Sequence, residues 1–303
     1  MFTRYLNTFF ILFLLIGFLP GCTNAKKSNE NGKAVYNEKA KSSSSGYDLK
    51  NPLIIRLSDE LQEISGNAFY AKDTSVFAIS DGNGYLFKIH LTTKNPLVEK
   101  WKFSKTHDFE DIVLHDSTFY VLQSNGDIYT VKFSRNGDSL VVDKSNFDGG
   151  GKKNNEFETL YYDGDRQQLV MICKECKEDK KQNTVTAFGF DTKTGTYIPG
   201  IFQIDVKEIE KITGENDMKF KPSAAAINPG TNDVWVLSSI NKMIVVIDKK
   251  GVVKDVYPLD PGIMRQPEGI TFAPWGDLII SSEAGDKYGK GSLFIFKKLT
   301  NHK

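Results

Sequence analysis

A short phrase that returns five times is what most constrains the fold of this 303-residue chain. Glu63-Ile64-Ser65-Gly66, Glu110-Asp111-Ile112, Glu158-Thr159-Leu160, Ser223-Ala224-Ala225 and Glu268-Gly269-Ile270 begin 47, 48, 65 and 45 residues apart. Phe109, Phe157, Pro222 and Pro267 place an aromatic residue or a proline ahead of the last four. About ten residues after each phrase comes a run rich in β-branched and aromatic side chains, at 76–80, 119–123, 169–173, 234–238 and 278–282. A second such run follows after a turn, at 85–89, 128–131, 185–190, 243–247 and 293–296. Gly82-Asn83-Gly84, Asn125-Gly126-Asp127 and Ile240-Asn241-Lys242 supply the intervening chemistry of tight hairpins. Helical periodicity is confined to residues 205–212, inside the longest interval.

A period of 40–50 residues, each unit holding three or four short strands, is the signature of a β-propeller blade. One blade cannot bury both of its faces, so the units must stack on one another and close into a ring. The sequence predicts an all-β, five-bladed β-propeller over residues 47–303, the 65-residue interval being a blade with an insertion. A six-bladed ring, with a degenerate blade in residues 190–220, is the alternative.

The phrases Glu63-Ile64-Ser65-Gly66, Phe109-Glu110-Asp111-Ile112, Phe157-Glu158-Thr159-Leu160 and Gln266-Pro267-Glu268-Gly269-Ile270, taken in order, resemble the SdiA-regulated (YjiK-like) family, a relative of the NHL-repeat propellers. The resemblance covers essentially all of residues 50–299. It implies a five-bladed propeller with a bound calcium ion and carries no settled activity. The chain departs from the pattern at Ser223, where the other four phrases have Glu.

The innermost strand of each blade lines the central channel, so a phrase at its start aims Glu63, Glu110, Glu158 and Glu268 at one mouth. Four carboxylates in so small a space repel and are costly to keep ionised. A Ca²⁺ ion, which takes six to eight oxygen ligands, relieves that cost. Asp81, Glu175 and Glu283, with Ser124 and Ser239, end the following strands and form a second shell. The competing reading makes the glutamates structural, each accepting backbone N–H bonds or pairing with a Lys or Arg of the next blade.

Cys173 and Cys176 form a Cys-x-x-Cys pair for which a disulfide, two free thiols and a metal site all remain open; no second pair completes a zinc site. No catalytic residue is assigned. His90, His107, His115 and His302 sit in no nucleophile or metal motif, and no Gly-x-Ser-x-Gly elbow occurs. Gly149-Gly150-Gly151-Lys152 lacks phosphate-loop spacing and reads as a turn. Trp101, Trp235 and Trp275 are expected to pack between blades.

The first 21 residues read as a lipoprotein signal peptide. Arg4 precedes an apolar run at 9–19 that is too short to span a bilayer, and Leu19-Pro20-Gly21-Cys22 resembles a lipobox. That pattern implies that Cys22 is acylated, palmitate being one such chain, and becomes the mature N-terminus. Residues 22–46, with Ser42 to Ser45 in a row and five lysines, are expected to form a disordered tether. From residue 47 on, 33 basic side chains face 36 acidic ones, which leaves no electrostatic footprint for nucleic acid. Two functions follow as expectations. The first is a membrane-anchored cell-envelope protein, on a periplasmic or outer-surface face, that binds calcium and an unknown ligand or envelope partner. The alternative is a metal-dependent hydrolase of the phosphoesterase or lactonase type.

Overall fold

The structure is a computed structural model that describes residues 45–91, 96–149, 155–285 and 289–299. Cys22, most of the tether, Gly150-Gly151-Lys152 and His302 lie outside the described residues. No helix among the described residues is long and apolar enough to cross a membrane.

Five antiparallel sheets of four strands form the blades, which bears out the five-bladed expectation. The first is Ile64–Tyr70 (β2), Ser75–Ser80 (β3), Asn83–His90 (β4) and Val98–Lys102 (β5). The second is Phe109–His115 (β6), Thr118–Gln123 (β7), Ile128–Phe133 (β8) and Leu140–Ser145 (β9). The third is Asn155–Asp163 (β10), Gln168–Cys176 (β11), Thr184–Asp191 (β12) and Thr196–Asp205 (β13), and the fourth is Ala224–Ile227 (β14), Val234–Ser238 (β15), Met243–Ile247 (β16) and Val253–Pro258 (β17). Gln266–Phe272 (β18), Leu278–Glu283 (β19) and Ser292–Phe296 (β20) make three strands of the fifth. Its outer strand is Leu53–Arg56 (β1), paired from Leu53 opposite Ile295 to Arg56 opposite Ser292. The first described strand thus completes the last blade and fastens the ring. Tyr47 reinforces the closure through its hydroxyl, which donates to the Gly276 carbonyl at 2.6 Å.

The innermost strands follow one another around the axis as β2, β6, β10, β14 and β18, with β18 back beside β2. β3 and β7, sandwiched between neighbouring blades, are buried along their whole length, whereas β9 is largely exposed. That gradient explains why second strands read as continuous apolar runs, without alternation. Interlocking side chains hold adjacent blades together: Phe77 of the first blade lies 4.5 Å from Phe119 of the second, ring to ring. All three tryptophans pack between blades as expected, Trp101 on Phe133, Trp235 on Phe272 and Trp275, though 53 % exposed, on Phe69. Trp275 lies in the turn before β19, where its Nε1 donates to Asp277 at 2.7 Å.

The long interval is an elaborated third blade, with β10 and β11 of nine residues and β13 of ten. It adds the short helix Asp179–Gln182 (α1) and the helix Val206–Thr213 (α2). Asp205 caps α2 by accepting from the Lys207 N–H at 2.9 Å, and Gly214, at φ +75°, ends it. Residues 190–220 are used by these elements, leaving no sixth blade.

Candidate functional site

β-Bulges, one extra residue inserted at the start of an inner strand, build the acidic mouth. In β6, Phe109 faces Gln123 and Asp111 faces Leu122, so Glu110 is the extra residue. Glu158 is extra between Phe157 and Thr159, and Glu268 between Pro267 and Gly269. A bulge bends the strand and re-aims its side chain. All three glutamates line one cavity of about 260 Å³.

Glu63 is placed differently. In the first blade Ile64 faces Ser80 and Asn67 faces Ala78, so the irregularity falls on Ser65-Gly66. Ser65 lines the cavity, as Ser223 does in the fourth blade, while Glu63 precedes β2 and is exposed. The five phrases therefore align on one apolar residue (Ile64, Phe109, Phe157, Pro222, Pro267), which precedes a bulge in four blades and Ser223 in the regularly paired fourth, two positions away from an alignment on Glu63. That apolar position was the usable signal, and it also reveals residues the sequence reading missed: Asp108, Glu156 and Gln266, each two before the bulge residue, line the cavity as well.

Asp81 and Glu283 line the mouth from the ends of the second strands, but Glu175 does not. Glu156 pairs with Glu175 and Phe157 with Cys173, which leaves Lys174 as an extra residue on β11 and turns it into the cavity. Glu175 points away and accepts from Lys221 and, at 3.1 Å, from Lys180. Ser124 donates to Asp108 Oδ2 at 2.6 Å, and the Ser239 N–H donates to Ser223 Oγ at 3.2 Å. Among the described residues, seven carboxyl groups and one ammonium line the cavity. That ammonium, Lys174, pairs with Glu158 and lies 3.3 Å from Glu156.

Beneath the acids the channel closes. Asn67, Ile112, Leu160, Ala225 and Ile270 are all buried and face a separate cavity of about 320 Å³ at the other end, which shares no lining residue with the acidic one. Asp111 ties the layer together, accepting from the Leu160 N–H of the next blade and the Ile112 N–H, both at 2.8 Å. Gly66 leaves it room: a Cβ there would sit 2.5 Å from Asp111 Oδ1.

An apolar floor under crowded carboxyls penalises the charged form. Burial, and then Glu158, Asp108 and Asp81, push Glu110 up to about 10. Burial raises Glu158 to about 7 against the opposing pull of Lys174. Glu268 and Glu283 also rise to about 7, through burial followed by Glu283 and by Asp81 respectively. Burial and Asp108 raise Asp81. Burial alone would lower Lys174, but Glu158 and Glu156 outweigh it and hold the ammonium strongly protonated.

A family model described as SdiA-regulated matches residues 46–287. The chain belongs to the SdiA-regulated family. Among solved structures, this SdiA-regulated protein is similar to a glutaminyl cyclase of Myxococcus xanthus (12 % identity, 82 % of this chain and 95 % of that one, TM-score 0.54). It is also similar to a luciferin-regenerating enzyme (12 %, 82 % and 96 %, 0.50) and to a Bacteroides thetaiotaomicron protein of unknown function (12 %, 73 % and 52 %, 0.50). At such identities the likeness is one of fold. No curated protein matches the sequence.

The donor set of the SdiA-regulated mouth suits a hard cation on one side only. Asp81, Asp108, Glu110 and Glu283 offer carboxylate oxygens and Ser65 lines the same cavity, although no three of these carboxylates bring oxygens within 4.8 Å of one another. Glu158 and Glu156 are already served by Lys174. Cys173 and Cys176 are joined in a disulfide that brackets Lys174 and Glu175. Their sulfurs lie close to Asp179 but, bonded to each other, are not available to a metal. None of the described histidines lines the acidic cavity: His90 meets Glu99 at 2.7 Å, His107 packs against Phe109, and His115 stacks on Tyr162 at the far mouth.

Proposed function

We propose that this propeller is a lipid-anchored protein of the cell envelope that binds calcium at its acidic mouth and there meets a ligand or an envelope partner. One observation carries the calcium reading: Asp81, Asp108, Glu110 and Glu283 line one cavity whose single ammonium among the described residues is paired with Glu156 and Glu158. Oxygen ligands of this kind, crowded over an apolar floor, are stabilised by a divalent cation. The Cys22 lipobox and the polar segment after it support the anchor. Calcium titrated against thermal stability tests the site. A rise in melting temperature that is abolished by chelator and reduced by Asp81→Asn or Glu110→Gln is expected; no shift in the parent protein would overturn the reading.

A metal-dependent hydrolase of phosphoesters or lactones is the second reading. Glu158 and Glu268, both raised to about 7, are matched to proton transfer near neutral pH. Calcium in such a site would supply a Lewis acid. Turnover of generic phosphoester or lactone substrates that needs calcium and is lost in Glu268→Gln would favour this reading over simple binding.

A further inference from the structure

The insertion that lengthens the third blade encloses a second charged cavity. α1 and the segment after α2 meet the end of β11 around about 360 Å³ of space. Among the described residues four lysines line it, Lys174, Lys180, Lys219 and Lys221, against two carboxylates, Glu175 and Asp179, and the ammonium of Lys174 is already paired with Glu158. Both acids are committed. Asp179 is buried and accepts from the Thr186 N–H at 2.9 Å and from the hydroxyls of Thr186 and Thr184. Glu175 accepts from Lys221 and Lys180, whose ammonium groups hold it down at about 2. Lys219 is exposed and makes no hydrogen bond or ion pair among the described residues. With Lys174 held by Glu158 and Glu156, the cavity keeps three ammonium groups against two carboxylates, and Lys219 is the one left unpaired among the described residues. Beside the polar Asn183 and Thr184, the rest of its wall is apolar, formed by the buried side chains of Val185, Val206 and Phe220 and by the disulfide at Cys176.

We infer that this cavity binds an amphiphilic anion, a phosphate monoester or carboxylate on a small apolar body. The lysines hold the charge in the manner of point-charge anion sites, and the apolar wall selects a ligand with a hydrophobic portion. A cavity of this volume admits a molecule with one ring or a short chain, as ligand pockets of about 300 Å³ and above do. The placement of Lys174 gives the site a consequence for the acidic mouth, since its side chain lines both cavities. An anion beside Lys174 competes with Glu158 for the ammonium, so its binding and calcium binding favour each other, reciprocally. This coupling rests on the calcium reading; the anion site does not.

The test uses the full-length protein in detergent, with chelator present, and phenyl phosphate as the probe in calorimetric titration. Saturable binding is expected, with inorganic phosphate at least tenfold weaker. Lys219→Glu should weaken phenyl phosphate at least tenfold with an unchanged melting curve. Lys290→Glu, a charge reversal on a residue that pairs with Asp59 and lies outside this cavity, should leave it unchanged. Phosphatidic acid carried in mixed micelles of the same detergent forms a second arm: displacement of phenyl phosphate assigns the anion to a lipid headgroup, and no displacement assigns it to a soluble ester. Absence of saturable binding, or equal effects of the Lys219 and Lys290 reversals, overturns the proposal. Because all of these arms are read without calcium, a failure of the calcium site leaves their outcome unaffected.

Discussion

Replacing Glu268 by Gln should stabilise the metal-free protein, and by an amount that grows with pH. Burial over the aliphatic floor, then the neighbouring Glu283, raises this carboxyl from 4.5 to about 7, despite an opposing hydrogen bond from Ser239. Between those two values the unfolded chain releases a proton that the folded chain keeps, so folded stability falls as pH rises through the window and stays low above it. At pH 8 the penalty reaches about 3 kcal/mol as an upper bound; at pH 5 it is below about 1 kcal/mol. Gln fills the same space without the charge. In chelator, Glu268→Gln should therefore melt higher than the parent by up to about 6–12 °C at pH 8 and by about 1–3 °C at pH 5, taking roughly 2–4 °C per kcal/mol for a domain of this size. Differential scanning calorimetry at both pH values measures it. A substitution that stabilises equally at the two pH values, or that destabilises at pH 8, would show that the glutamate is held ionised by partners in its own fold, and the reasoning would fail.

Lys174→Met removes the ammonium paired with Glu158 and should cost about 2–3 kcal/mol at pH 7 in chelator; urea unfolding measures the loss, and added calcium should recover part of it. Gly66→Ala places a Cβ 2.5 Å from Asp111 Oδ1 and 2.6 Å from its Cα, a clash with backbone that should lower stability by about 1–3 kcal/mol in the same assay. Deleting residues 53–56 strips the outer strand from the fifth blade and leaves β20 as an open edge; size-exclusion chromatography should show aggregation in place of a monodisperse peak.

The propeller was legible because each blade repeats the same punctuation. Runs at 234–238 and 243–247 coincide with β15 and β16, and the others lie within their strands, since β-branched and aromatic residues bounded by tight turns leave few alternatives. The helical turn expected at 205–212 is α2, displaced by one residue because Asp205 serves as its cap. The role of β1 was not legible: its pairing with β20 joins residues 53 and 295, and no local pattern records such a partner. At the mouth the limit was the bulge. One extra residue per strand breaks the period of two from which side-chain direction is read. Counting from Glu63 put an acid where Ser65 lies, and counting along β11 put Glu175 where Lys174 lies. The second slip changed the sign of a charge, and with it the electrostatics of the third blade's share of the mouth.

That change of sign separates the two roles weighed for the glutamates, which prove not to be exclusive. Glu158 is the structural case, paired with a lysine whose loop is bracketed by the Cys173–Cys176 disulfide. Glu110 is the other case: at about 10 it holds its proton at neutral pH, because burial and three neighbouring acids act on it together and Lys174 offsets them only in part. A carboxyl in that position has two ways to lose the penalty, keeping a proton or meeting a cation. Protons and calcium are therefore competitors for the same oxygens, and acidification must weaken any calcium bound beside Asp81 and Asp108. Lys174 sets how far that competition reaches, because it already supplies a positive charge to Glu156 and Glu158 of the third blade and offsets part of the burial that raises Glu158.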